Sequence, residues 1–149
     1  MPEQKIVVAT IAVAAISAVM VALVSSLLVT NTTLHNNGNV KSVGVDVYWD
    51  QACTNKTSAI DWGTLEPNVT RSVNVYVKNS GTAGVKLSMA TGNWNPTAAS
   101  NYISLSWNCT NYVLPQGQIV GARLTLSVSS AISGISTFSF DITITGTEN

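Results

Sequence analysis

Residues able to do chemistry are few in this 149-residue chain: one histidine, two cysteines, and seven carboxylates balanced by seven lysines and arginines. His35 lies in a polar run with no acid or nucleophile near it, so no nucleophile, base and orienting group assemble around it. Asp46 and Asp50 share one face of an alternating stretch. With Asp61 or Asp141 they offer the oxygens that Ca²⁺ takes, but no compact ligand loop accompanies them. One histidine and two cysteines do not make a zinc-type spacing, and phosphate-cradling glycine loops and nucleophile elbows are absent. The expectation is a protein that is not an enzyme, with no catalytic residues, no cofactor and no metal site.

The other chemistry is covalent modification. Asn31, Asn55, Asn68 and Asn108 each begin an N-x-T acceptor pattern for N-linked sugar, and none falls inside the apolar N-terminal run. Four such sites place the C-terminal part of the chain outside the cytoplasm. Cys53 and Cys109 then pair as one disulfide or remain as two buried thiols, and the oxidising compartment favours the bond. Each cysteine follows a predicted strand, where a bond would tie two loops at one end of a sandwich.

What must position these groups begins with residues 6–29, IVVATIAVAAISAVMVALVSSLLV, free of charge, proline, glycine and aromatic rings. As a helix, at about 1.5 Å per residue, the run reaches roughly 36 Å, enough to cross the apolar core of a bilayer of about 30 Å. Its length favours a retained membrane or filament-core helix over the shorter apolar region of a secretory signal peptide. Thr10, Ala14, Ala18, Ala22 and Ser26 recur every four residues as a stripe of small side chains, along which two helices pack closely. Residues 1–5 form a short N-terminal segment, and the polar residues 30–42 read as a stalk.

From Val43 the apolar period changes from helical to alternating, and 43–149 is expected to fold as one all-β domain. Val43, Val45, Val47 and Trp49 occupy one face of a first strand. Residues 60–63 give a short edge piece. Val73, Val75 and Val77 point inward from a strand that a hairpin at 79–82 joins to Val85, Leu87 and Met89. A loop holding Trp94 precedes the strand of Ile103, Leu105 and Trp107. Val120, Ala122, Leu124, Leu126 and Val128 line another, and Phe138, Phe140, Ile142 and Ile144 the last. Six or seven strands, each with one apolar face, bury themselves as a two-sheet β-sandwich.

The run NVTRSVNVYVKNSGTAGVKLSM, preceded by Leu65-x-Pro67, and the later LPQGQIVGARLTLSVSS resemble the immunoglobulin-like sandwiches of archaeal surface proteins. The whole layout, an apolar N-terminal helix followed by a sandwich, resembles archaeal type IV pilin-like and archaellin-like filament subunits. That resemblance implies an immunoglobulin-like β-sandwich of about seven strands, with the helices bundled at the centre of a filament and the sandwiches forming its sheath. Two features depart from the pattern. Lys5 runs straight into Ile6 without the small residue that usually follows a pilin-type cleavage site, and no carboxylate stands early in the helix.

Charged residues make up 9% of the chain and cancel, while Ser, Thr and Asn are about a third of it. Such a surface has no basic field for nucleic acid and suits dense lateral packing. The expected partners are copies of the same chain and the membrane, in a structural subunit at the cell surface. The alternative is a single-span anchor carrying an extracellular domain that binds an S-layer or adhesion partner.

Overall fold

The computed structural model describes residues 34–149. The apolar run 6–29, with Thr10, Ala14, Ala18, Ala22 and Ser26, and the acceptor Asn31 lie outside the described residues. Among those described, no helix is long and apolar enough to cross a membrane, and the architecture is all-β.

Nine strands follow in order: β1 (Leu34–Val43), β2 (Asp46–Tyr48), β3 (Ala59–Leu65), β4 (Thr70–Lys78), β5 (Val85–Asn95), β6 (Ile103–Trp107), β7 (Val113–Leu114), β8 (Ile119–Val128) and β9 (Thr137–Glu148). A single 3-10 turn, Thr97–Asn101, separates β5 from β6. The strands form a five-stranded sheet ordered β3-β1-β9-β5-β7 and a four-stranded sheet ordered β2-β4-β8-β6. Every strand pair is antiparallel except β1 with β9.

Alternation decides which faces meet. Val75 and Val77 of β4 and Ala122, Leu124 and Leu126 of β8 come from one sheet. Ile60, Trp62 and Leu65 of β3, Leu87 of β5 and Phe138 to Ile144 of β9 come from the other, and all share one core. Trp62 is the largest fully buried side chain. Each fully buried Val, Leu, Ile or Phe side chain contributes about 1.5–3 kcal/mol relative to exposure. The inward positions expected for β4, β8 and β9 are those found, with Val73 and Val120 partly covered.

Four expectations need correction. The stalk is shorter than expected, because residues 34–43 form β1, hydrogen-bonded on one side to β3 and on the other to β9. Its inward positions are Asn36, Gly38 and Val40, which give no apolar alternation to read. Second, Val43 and Trp49 are exposed, unlike Val45 and Val47. Gly44, in the left-handed region at φ 72°, turns the chain between the two sheets, so Val43 and Val45 do not share a strand. A Cβ at Gly44 would stand 2.5 Å from the Gly146 carbonyl oxygen, so this corner requires glycine.

Third, β4 and β5 are not a hairpin; they belong to different sheets. Asn79 redirects the chain between them. Its side chain, 0% exposed, donates to the carbonyls of Ala83 (2.8 Å) and Leu114 (3.0 Å), and its Oδ1 accepts from the Gly81 N–H (3.0 Å). Fourth, Trp94 belongs to β5 and not to a loop. Its ring stacks on Phe140 with centroids 4.2 Å apart and planes at 6°.

Asn79→Ala removes all three side-chain bonds at that crossing and leaves the buried Leu114 carbonyl without its amide donor. The expected loss is about 2–3 kcal/mol of unfolding free energy, read by chemical denaturation with tryptophan fluorescence. A change below about 0.5 kcal/mol, the range of ordinary surface substitutions, would show that other contacts hold the crossing.

Candidate functional site

The outward face of the five-stranded sheet carries the densest set of interacting polar side chains, and strand register assembles it. Asp61 of β3, Asn37 of β1, Ser139 of β9 and Asn95 of β5 fall in one row across four strands. In the next row Asn39 and Asp141 face each other across β1 and β9, and Lys41 follows two residues along β1.

Asp141 is the charge centre. Its Oδ2 accepts from the Lys41 ammonium and, at 2.6 Å, from the Asn93 side-chain amide, while Oδ1 accepts from the Asn39 amide at 3.3 Å. The Lys41 hydrogen bond foremost, then that of Asn93, holds its carboxyl down at about 2. A carboxylate kept ionised and supplied with three donors fixes the orientation of the Lys41, Asn93 and Asn39 side chains on this face.

Beside the network, a cleft of about 400 Å³ is lined by Asn36, Asn37, Asp61, Asn95, Thr137, Phe138 and Ser139. Asn36 is 5% exposed, and neither its amide nitrogen nor its oxygen has a hydrogen-bond partner. The buried Trp62 Nε1 is likewise unpartnered, close to where a Cβ on Gly38 would stand. Asp61 accepts from the Gly63 N–H at 2.8 Å and so shapes the β3 backbone. The cleft offers amides, hydroxyls and one carboxylate, the chemistry of polar recognition.

The remaining candidate residues are dispersed. Asp46 accepts from Lys56 at 2.9 Å and from Ser80 at 2.8 Å, and these bonds lower its pKa, that of Lys56 most. Asp50 accepts from the backbone N–H groups of Asn55 and Thr54 and from the Thr54 hydroxyl, closing the turn after β2; the Asn55 bond is the main cause of its lowered pKa. Asp46, Asp50, Asp61 and Asp141 are therefore not brought together, and no group of three His, Cys, Asp or Glu able to hold a metal occurs among the described residues. His35 enters β1, its backbone in register with Thr137 and Thr64.

Cys53 and Cys109 are free thiols, a correction to the expected disulfide. Cys53 lies in the turn after β2 and Cys109 just after β6, the two edge strands of the four-stranded sheet. With β4 and β8 between them, at about 4.8 Å per strand, the edges stand roughly 14 Å apart. A disulfide needs Cα atoms within about 7 Å. Cys109 is buried against the Gly121 carbonyl, and that burial pushes its thiol pKa up.

Three sugar acceptors lie in the described residues, all exposed. Asn55 and Asn68 occupy turns, Asn68 in the left-handed region at φ 63°. Asn108 differs, because its Oδ1 accepts from the Arg123 N–H at 2.8 Å. The Asp141 network and the cleft escaped sequence reading because their residues come from β1, β3, β5 and β9, whose adjacency is not written in any local pattern. No protein-family model and no curated protein matches this chain.

The low pKa of Asp141 has a definite sign. Its folded value of about 2 lies below the ordinary 3.8, so its contribution is complete above the ordinary value and disappears as pH falls toward 2. Thermal unfolding followed by circular dichroism should show wild type melting above Asp141→Asn at pH 6, with the two midpoints converging by about pH 2. A gap that persists at pH 2 would show that Asp141 acts by shape and not by charge.

Proposed function

We propose that this protein is a non-enzymatic structural subunit of the cell surface, a pilin-like filament subunit. Its N-terminal helices pack together along the Thr10–Ser26 stripe, and its domain, an immunoglobulin-like sandwich, forms the outer sheath. The observation that carries this reading is the closeness of the two parts in sequence: only residues 30–33 separate the apolar run from β1. So short a sequence interval is not the long flexible linker of a freely tethered binding module.

The domain's faces support the same reading. On the outer face of the four-stranded sheet Ser72, Thr125 and Ser106 stand in one row and Thr70, Ser127 and Ser104 in the next. Hydrogen bonds of 3.1 Å (Ser72 to Thr125) and 3.3 Å (Thr70 to Ser127) link neighbouring hydroxyls. This hydroxyl-rich patch, bordered by Arg123 in the adjoining row, offers hydrogen-bonding groups to a neighbouring copy. Asn55 and Asn68, on exposed turns, are the acceptors best placed to carry sugar.

A second reading has its own observation. The cleft with the unpartnered Asn36 amide suits a single-span anchored domain that binds an S-layer or adhesion partner through the five-stranded sheet.

Electron microscopy of purified surface material, with an antibody against the domain, separates the two. Labelled filaments are expected, and replacing Ala14, Ala18 and Ala22 together by Leu should abolish them while leaving the domain folded. Label confined to isolated membrane-embedded particles would overturn the filament reading in favour of the anchored one.

A further inference from the structure

β1 is the first strand of the described domain and lies parallel to the last, β9, the one parallel pairing among the described residues. Its onward connection leads to β2 in the other sheet, as consecutive strands alternate between the two sheets throughout. Its place is therefore a slot between β3 and β9, to which it is tied only through the corner at Gly44 and Val45. Filling that slot requires no other strand to change its partners.

Among the inward positions Asn36, Gly38 and Val40 none is a fully buried apolar side chain, Val40 being partly buried against the core. Main-chain hydrogen bonds hold both edges, from His35 to Val43 with β9 and from Leu34 to Asn39 with β3, the latter pairing shifting register between Asn36 and Asn37. At Gly38 a Cβ would stand 3.0 Å from Ile142 Cδ1 and 3.1 Å from Trp62 Nε1, so a side chain there would make those two give by a few tenths of an ångström. The slot fits a glycine best at this position, and an identical strand from another copy fits it equally.

The corner favours release. Two residues join β1 to β2, and Gly44 sits in the left-handed region with the Gly146 carbonyl against it. Short, constrained connections of this kind open readily into extended ones, which carry a terminal element away from its own domain.

We propose that β1 is exchanged between copies: in assembled material the Leu34–Val43 strand of one chain fills the slot between β3 and β9 of the next. This partner assignment rests on the self-assembly reading above. Because the donated strand and the receiving slot are different surfaces of the chain, the contact is head-to-tail and generates an open series of subunits.

The test uses full-length chains with Cys53→Ser and Cys109→Ala, co-expressed as two populations. One carries Asn37→Cys and the other Ser139→Cys, positions that face each other across β1 and β9. Mild oxidation followed by peptide mass spectrometry should find the 37–139 disulfide joining the two populations. Gly44→Ala should raise its yield severalfold by straining the closed corner, and inserting Gly-Gly-Ser after Gly44 should lower it. A chain carrying both cysteines reports the alternative. If it closes only on itself and no mixed 37–139 product forms, β1 stays in its own domain and the proposal falls. It falls equally if neither bond forms. Electron microscopy of the same samples keeps the two readings apart: filaments with only intrachain bonds overturn exchange alone, and interchain bonds without filaments overturn the filament alone.

Discussion

Two lines of main-chain hydrogen bonds, one on each edge of β1, are the interaction on which the architecture depends. They join β3 to the rest of its sheet and thereby bring Ile60, Trp62 and Leu65 over the core. They also carry Asn39 and Lys41 to Asp141, and Asn37 to Asp61 and Ser139. Without β1 the five-stranded sheet has no β3, the largest buried side chain loses its cover, and the polar face loses Asn37, Asn39 and Lys41. A strand rich in Asn, with Gly38 at its middle, does this chiefly through its backbone pairing on both edges.

That division of labour explains what was legible in the sequence. β4, β8 and β9 alternate apolar and polar side chains because each has one face in the core, and Val75, Leu124 and Ile142 lie where alternation places them. The all-β class and the two apolar-faced sheets follow from those strands alone. In sequence β1 resembles a stalk because backbone pairing leaves no hydropathy signal, and Asn-rich composition ordinarily marks loops. The corners were illegible for another reason. Gly44 and Asn79 each send the chain into the opposite sheet, and nothing in a Gly or an Asn-Ser-Gly run separates a crossing from a hairpin. The cysteine pairing failed with them, since it depended on strand order.

The candidate site is the least local feature and was the least visible. Asp141 stands among outward positions of a clean strand and reads as one solvated carboxylate. Only the neighbours supplied by β1 and by the irregular end of β5 make it a centre of three donors. The irregularity between Gly92 and Asn95 in the pairing of β5 with β9 is also where Trp94 stacks on Phe140. One local break thus supplies a core ring inward and the Asn93 amide outward. The surface that results is polar and internally hydrogen-bonded around the Lys41–Asp141 pair.

Amide hydrogen exchange along residues 34–43 of the full-length chain tests most directly whether the domain is built around β1. Strand β1 held on both edges predicts amides from Asn37 to Val40 that exchange as slowly as those of Phe140 to Ile144 in β9. Exchange at the rate of an unstructured chain across those residues, with β9 still protected, would contradict the account and return the segment to a stalk.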